Sequence, residues 1–275
     1  MSKEIKNPVI ACIDGTPAAR AVCDYGAWAA STLGAPLVLL HITAQEDPGL
    51  ARLCGREEEA RLMAALANIE EARTRLRIAH GKALLADCAA QLKQAGQAPA
   101  SLLQKHGSPE AILSGLDDIR LMVLGRGEAQ NLVGSLAESL IRLQSSPVLV
   151  APASFTPPSQ VMLAYDGSIE SRKNLARLTA SPLLYGLDCH IVMVNGSATV
   201  LKDAHAELQK AGIRAQAHML EGTSVTASLC RYAQAQAIDL IVMGAWGHSQ
   251  RRRFFIGSHA AAMLFRCRQP LLILR

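Results

Sequence analysis

The sequence lacks any apolar run of about 20 residues, the length that a membrane-spanning helix needs. The first residues lead toward an apolar strand without the apolar core of a signal peptide. Aromatic residues are scarce: two Trp, four Tyr and four Phe in 275 residues leave few side chains to stack on nucleic-acid bases. We therefore expect a cytoplasmic protein that binds neither a membrane nor nucleic acid.

Paired cysteines and metal-ligand spacings are also missing. The seven cysteines are odd in number and contain no C-x-x-C pair, which suits buried reduced thiols better than a disulfide framework or a zinc site. The eight histidines show no metal-ligand spacing either. The net charge of +5 is modest, and its densest cluster, residues 251–253, is too small to indicate a nucleic-acid-binding face. We expect no metal site.

Several enzyme motifs are absent. The sequence has no lysine-containing phosphate loop, no G-x-G-x-x-G dinucleotide motif and no G-x-S-x-G nucleophile motif. It also lacks the Ser-Gly-Gly-x-Asp-Ser loop of α/β enzymes that cleave ATP between its α and β phosphates. We name no catalytic residue and expect a protein that is not an enzyme. A slow ATPase, in which a divalent ion bridges the phosphates, is the alternative.

What the sequence does contain is a duplication. Residues 9–16 and 161–168 are apolar runs that end in Asp-Gly-Thr and Asp-Gly-Ser. Five further pairs of segments follow in the same order in both halves. The pairs are 36–42 with 190–194, 105–108 with 220–223, 121–125 with 240–244, 134–135 with 257–258, and 147–150 with 270–273. Six correspondences in one order indicate an internal repeat.

Each half alternates strand and helix five times, which predicts an α/β fold. We expect two tandem doubly wound domains, each with a five-stranded parallel sheet and helices on both faces. A stretch of prolines and small residues at 151–159 separates the halves, so the domains are predicted as 1–154 and 155–275. Ligands of such sheets bind beyond the carboxyl ends of the strands, where the strand order reverses.

The first half carries a longer segment between its second and third strands, at about residues 48–96. It is rich in Ala, Leu, Glu, Arg and Lys, which favour a helix, and Gly81 is a point where it could divide into a hairpin. We therefore predict a long helix or a helical hairpin. Our first interpretation is that this segment covers the sheet or supports oligomer contacts. The second is that it forms a gate over a ligand cavity.

The strongest functional motif is the glycine loop of the second half. Gly244 and Gly247 follow an apolar strand, and Gly257-Ser258 comes nine residues later, before an amphipathic run. Glycines let the backbone approach a ligand closely, and Ser258 stands at a helix N-cap position, where free amides and the positive end of the helix dipole favour an anion. The loop therefore predicts phosphate binding. A tight strand-to-helix turn without a ligand is the alternative.

The corresponding loop of the first half is altered. It runs from Gly125 to Ser135, is shorter, and places Glu128 near the expected phosphate position. Ser135 and Glu138 form a capping-box pattern in which the glutamate itself satisfies a helix donor. Charge and hydrogen-bond donors therefore both favour anion binding in the second half.

These motifs resemble those of the universal stress protein family, and the resemblance covers both halves. It rests on the Asp-Gly-[Ser/Thr] turns at Asp14 and Asp166, the end of the second strand at residues 40–42, and the Gly-x2-Gly-x9-Gly-Ser signature. Members with an intact signature typically bind ATP or another adenine nucleotide. The resemblance implies a sheet order of 3-2-1-4-5, domains that pack through their last strands, and a possible homodimer of two chains. It carries nucleotide binding over to Asp166, Val194, Gly244, Gly247, Gly257, Ser258 and His259.

Within this set the role of Asp166 stays open, because its side chain could equally form only an Asx-turn with the backbone. We expect a stress-response protein whose second domain binds ATP, ADP or AMP, with or without Mg. Nucleotide binding is expected to serve sensing or signalling through an unknown protein partner. The alternative is a nucleotide-independent interaction scaffold that works through residues 48–96.

Overall fold

The computed structural model describes residues 6–43, 56–116, 118–126, 146–245 and 258–275. Strands and helices alternate in it as the duplicated sequence predicts. The described strands are β1 Val9–Cys12, β2 Leu37–Thr43, β3 Ser101–His106, β4 Leu121–Gly125, β5 Val148–Ala151, β6 Gln160–Ala164, β7 Asp188–Val194, β8 Ala215–Leu220, β9 Leu240–Gly244 and β10 Leu271–Leu274. The described helices are α1 Ala19–Leu33, α2 Arg56–Gln94, α3 Pro109–Ser114, α4 Ile169–Thr179, α5 Ala198–Lys210, α6 Val225–Ala235 and α7 Ser258–Arg266.

The ten strands form one continuous sheet in the order β3-β2-β1-β4-β5-β10-β9-β6-β7-β8. Within each half the strands are parallel and follow the order 3-2-1-4-5, counted from the start of that half. The halves join through β5 and β10, which pair antiparallel, with Leu149 opposite Leu272. The two five-stranded sheets are therefore parts of a single mixed sheet.

The strand register confirms the internal repeat residue by residue. Val9 pairs with Leu37 on one side and Leu121 on the other. Its counterpart Val161 pairs in the same way with Cys189 and Leu240. The two halves thus repeat the fold down to single positions, and a site built in one half can be compared directly with its counterpart.

The central strands are buried on both faces, as is usual for parallel strands covered by helices on each side. In β4, Leu121 and Val123 belong to one apolar cluster, whereas Met122 and Leu124 belong to the cluster on the opposite face. This alternation follows from the two-residue period of a strand. The edge strands β3 and β8 are more exposed.

The described part of the long segment after β2 forms one helix, Arg56–Gln94, and not a hairpin. Helix α2 has 39 residues, about 58 Å at 1.5 Å per residue, and continues through Gly81 without a break. A Cβ atom at Gly81 would collide with the ring of His41 and lie 2.6 Å from Gln104 Nε2. Gly81 therefore allows α2 to approach β2 and β3 closely, and the proposed division of the segment at this residue is wrong.

The second part of α2 covers the sheet, as the first interpretation of the segment expects. Leu85, Cys88 and Leu92 are buried in the apolar cluster on that face. Ile69 and Leu76, in the first part of α2, are 56% and 70% exposed. No helix in the described part of the chain is both long and apolar enough to cross a lipid bilayer.

The connection between the halves is anchored to both of them. Phe155 packs edge-to-face on Tyr25 at 4.7 Å between ring centroids, and the Tyr25 hydroxyl lies 3.4 Å from the Thr156 amide and carbonyl. The Ser159 amide donates to the Asp239 carboxylate at 2.9 Å. The boundary between residues 154 and 155 stays a prediction.

Candidate functional site

The turn after β6 holds the first predicted ligand-binding residue. Asp166 Oδ1 accepts a hydrogen bond from the Ser168 amide at 3.0 Å, which is the Asx-turn that the sequence left as an alternative. Ser168 caps α4 by accepting from the Ser171 amide at 3.2 Å. The Asx-turn fixes the direction in which the Asp166 carboxylate points, and its contact with a ligand stays a prediction.

Gly167 is the residue on which this turn depends. Its φ of 75° lies in the left-handed region, where a side chain is strained. A Cβ atom at Gly167 would also lie 2.7 Å from Val200 Cγ1 on α5. Glycine is therefore required both for the backbone conformation and for the close packing of α5 on the turn.

Two further predicted residues lie beside this turn because of the strand order. Strand β6 has β7 on one side and β9 on the other, and Ala164 pairs with Val192 and Met243. Continuing this register places Val194 beside Asp166 and Gly244 beside residue 165. The three positions share the carboxyl edge of adjacent strands that are about 4.8 Å apart.

This edge is the point at which the strand order of the second half reverses. From β6 the chain crosses to β7 and β8 on one side, and it later returns to β9 and β10 on the other. Open α/β sheets bind their ligands in the crevice at such a reversal. The structure thus brings Asp166, Val194 and Gly244 together where a ligand is expected.

The helix that follows the glycine loop has the predicted N-cap residue, Ser258, as its first residue. Helix α7 starts at Ser258, and His259, in its first turn, is exposed, whereas Ala260 is buried. On the strand side, the amide of the buried residue Ala245 donates to the Leu274 carbonyl at 2.8 Å, which holds the exit of β9 against β10. Gly247, Gly257 and the side chain of Ser258 lie outside the described residues, so their contribution to the site stays a prediction.

Asn195 is a residue of this edge that the sequence reasoning missed. Its side chain donates to the Gly222 carbonyl at 2.6 Å and accepts from the Gly222 amide at 3.1 Å. These bonds tie the end of β7 to the end of β8. Asn195 has a φ of 52°, and the Asn-Gly pair that it forms with Gly196 is the turn signal that could have identified it.

The equivalent turn of the first half shares the hydrogen bond from the backbone amide to the aspartate. Asp14 Oδ1 accepts from the amide and the hydroxyl of Thr16, at 3.2 and 2.5 Å. His41, at the end of β2, has Nδ1 2.8 Å from the Ile13 carbonyl oxygen, in agreement with its interpretation as a satisfied core histidine. The Asp-Gly-hydroxyl turn is therefore common to both halves and does not by itself distinguish a binding half from an empty one.

A partly buried cluster of polar rings lies on the sheet of the second half, away from the Asp166 turn. His190 Nδ1 is 2.7 Å from the Tyr232 hydroxyl, His190 Nε2 is 3.1 Å from Gln160 Oε1, and His218 stacks on His190 at 5.2 Å. Burial lowers the pKa of both histidines and raises that of Tyr232 to about 12. These groups therefore favour their neutral forms and stabilise the packing of α6 on β7 and β8.

A cleft of about 520 Å³ lies elsewhere, between the halves. Residues near the amino ends of the first-half strands, among them Asn7 and Arg120, line one side, and Arg177 and Arg275 line the other. The lining comes from segments far apart in the sequence, so no local motif indicated it. It contains none of the predicted nucleotide-binding residues.

The fold and the site together define a class of protein: a tandem doubly wound α/β protein whose candidate site follows the first, second and fourth strands of its second half. A family model described as the universal stress protein family matches residues 7–152 and 193–275. A curated relative, universal stress protein Slr1230 from Synechocystis, is 33% identical over 97% of this chain and 99% of its own. The chain belongs to the universal stress protein family.

Solved structures share the whole fold. A universal stress protein from Archaeoglobus fulgidus superposes with a TM-score of 0.73 at 16% identity, covering 98% of this chain and 96% of its own. A putative universal stress protein from Pseudomonas aeruginosa has a TM-score of 0.63 at 16% identity, covering 98% and 93%. At these identities the likeness concerns the fold alone.

Proposed function

We propose that the second half of this universal stress protein binds an adenine nucleotide, ATP or else ADP or AMP, and that the chain acts in the stress response by nucleotide-dependent sensing or signalling. One observation carries the proposal. The Asp166 turn, the end of β7 and the exit of β9 meet at the reversal of strand order, and α7 begins 14 residues after Gly244. This is the place where a doubly wound sheet takes a nucleotide.

The roles divide along the crevice. Asp166 and the backbone at Val194 are placed for the adenine and ribose side of the nucleotide. Gly244, Gly247, Gly257 and Ser258 belong to the phosphate side, together with His259. Amides of the first turn of α7 would donate to phosphate oxygens, and the helix dipole would add to the attraction. A Mg ion on the phosphates is compatible with this assignment but not required by it.

We assign one strong site to each chain. The first half lacks the nine-residue spacing and has Glu128 in its loop and Glu138 after it. The second half instead has three arginines at 251–253 and Ala261. A carboxylate near bound phosphate is repulsive, and arginine is attractive. We further propose that the protein senses the nucleotide and does not hydrolyse it, since no sequence motif identifies a catalytic base.

Titration calorimetry with ATP tests the proposal. We expect one strong site per chain in the unmodified protein and none in Gly257→Asp, because the new carboxylate blocks the approach of the phosphates and repels them. Gly134→Asp, the matched change in the first half, should leave the affinity unchanged. No binding to the unmodified protein, or two equal sites, would show that the proposal is wrong.

A second pair of variants tests the carboxylate of the turn. Asp166→Asn keeps an oxygen that can accept from the Ser168 amide but removes the charge. Hydrogen bonds to a charged group contribute about 1.5–3 kcal/mol, so we expect the ATP affinity to fall at least about tenfold. Asp14→Asn is the control and should not change it. Equal affinities in both variants would reduce Asp166 to a purely structural role.

The second candidate function is a nucleotide-independent scaffold, and one observation favours it. Helix α2 exposes Ile69 and Leu76, seven residues apart and hence on one side of the helix. Exposed apolar side chains along a helix suit a protein partner or a second copy of the chain. If ATP left the melting temperature unchanged while Leu76→Glu abolished self-association or partner binding, the scaffold function would replace nucleotide sensing.

A further inference from the structure

Three sulfur atoms converge where α6 packs on α7, in a part of the second half that the nucleotide proposal does not use. Cys230 Sγ lies 2.7 Å from Cys267 Sγ. Met263 Sδ lies 3.7 Å from the first thiol and 3.5 Å from the second. Met263 and Cys267 are buried, whereas Cys230 is partly exposed and gives the cluster a route to solvent.

We propose that Cys230, Met263 and Cys267 form a binding site for a soft monovalent metal ion, Cu(I). Thiolate and thioether sulfurs are the ligands that select Cu(I), and three of them suffice for this ion. Structural zinc sites instead take four ligands, mostly Cys and His. No group of three or more His, Cys, Asp or Glu residues that could hold a metal occurs in the described ranges, so zinc is disfavoured here.

The spacing of the sulfurs fits an ion after a small movement. Metal–thiolate bonds are about 2.3 Å long, so three sulfurs placed evenly around an ion are about 4 Å apart. The two contacts of Met263 are already near this value. Only the two thiols must separate, by about 1.3 Å, which rotation of their side chains can provide.

The charge balance also favours a bound cation. On binding, each thiol releases its proton and forms a bond from sulfur to Cu(I), so two thiolates and one Cu(I) carry a net charge of −1. The guanidinium of Arg126 reaches across from the first half to the Gln269 carbonyl, two residues after Cys267, and would offset this charge. Arg126 Nη2 donates to the Gln269 carbonyl at 3.0 Å, and the buried Nε atom has no hydrogen-bond partner within the described part of the chain.

A metal ion competes with protons for the two thiols, because only the deprotonated sulfur is a ligand. Binding should release about two protons per ion, so the affinity should rise with pH.

The test uses the whole reduced protein without oxygen, with Cu(I) offered as its coloured bicinchoninate complex and ascorbate as the reductant. We expect the protein to withdraw one Cu(I) per chain, and X-ray absorption to show three sulfur neighbours. Cys230→Ala and Cys267→Ala should each weaken binding at least about 100-fold, because two sulfurs remain. Met263→Leu preserves the side-chain volume and should weaken binding about tenfold or more.

The matched control is Cys23→Ala, which removes a buried thiol from a second neighbouring pair, Cys23 and Cys88, in the first half. It should leave Cu(I) uptake unchanged. Far-ultraviolet circular dichroism of every variant shows whether folding is retained, and Met263→Leu keeps the test decisive if a cysteine variant fails to fold. Cu(I) uptake that is absent, or that is unchanged in Met263→Leu, would overturn the proposal. So would reduced protein that forms a Cys230–Cys267 disulfide on exposure to oxygen but takes up no Cu(I).

Discussion

Replacing Gly167 with alanine tests how the Asp166 turn is built. Two separate costs are expected at this residue. A non-glycine residue in the left-handed region costs about 1–2 kcal/mol. The added Cβ would lie 2.7 Å from Val200 Cγ1, and overpacking of this kind costs about 1–3 kcal/mol more. The free energy of unfolding should therefore fall by about 2–5 kcal/mol.

The chain provides a control that separates the two costs. Gly212 has the same φ of 75°, but a Cβ there would meet nothing within 4 Å. Gly212→Ala should therefore lose only the backbone term, about 1–2 kcal/mol. The difference between the two alanine variants measures the contact with Val200, and adding Val200→Ala to Gly167→Ala should remove most of that difference.

Urea unfolding followed by circular dichroism gives the free energies, provided that the slope of free energy against urea is the same in all variants. ATP titration of Gly167→Ala, at a temperature where it is fully folded, adds the functional measurement. The affinity should fall because the Asp166 carboxylate loses its fixed direction. If Gly167→Ala were no less stable than Gly212→Ala, the packing of α5 on this turn would be refuted.

Three further outcomes are expected. Gly81→Ala should destabilise the protein despite the gain in helix propensity of about 1 kcal/mol, since the new Cβ displaces both His41 and Gln104. Thermal melting should show a smaller loss when the change is made in a His41→Ala background. Asn195→Gly should lower the free energy of unfolding by about 1–3 kcal/mol, because it removes two hydrogen bonds to Gly222. Asn195→Ala should lower it further, because alanine is strained at a φ of 52°. Equal urea midpoints for the two variants would contradict this. Burial lowers the pKa of His190, so the stability that its neutral ring contributes is present above about pH 6.5 and is lost as the pH falls through the folded-state pKa. The melting temperature should therefore fall between pH 8 and pH 5, and it should fall less in His190→Gln.

Much of the fold could be predicted because it is encoded locally. Apolar runs such as residues 240–243 and 121–124 are continuous, which identifies strands buried on both faces. Their repetition in one order predicted the tandem arrangement and the site at the carboxyl edge. Helix α2 was predicted as a long helix or a helical hairpin. The sequence could not decide between them, because the reason for Gly81 is contact with His41 and Gln104, on other elements.

The candidate site was predictable in part for the same reason. Asp166 and Gly244 lie directly after apolar strands, so their positions followed from the strand assignment. The Asn-Gly pair marks a turn at Asn195, but no local pattern indicates that its side chain binds Gly222, 27 residues further along the chain. The arginines around the cleft between the halves likewise come from separate elements.

By itself, the sequence determined the class of fold, the duplication, and the half in which a nucleotide site is expected, since these depend on periodicity and on motifs within short segments. Only the tertiary structure decided that β5 and β10 pair antiparallel into one sheet. It also decided that Cys230 and Cys267, which are 37 residues apart and match no metal motif, meet at Met263. This contact between sulfur atoms depends on how α6 packs on α7, so it cannot be predicted from the spacing of the residues along the chain.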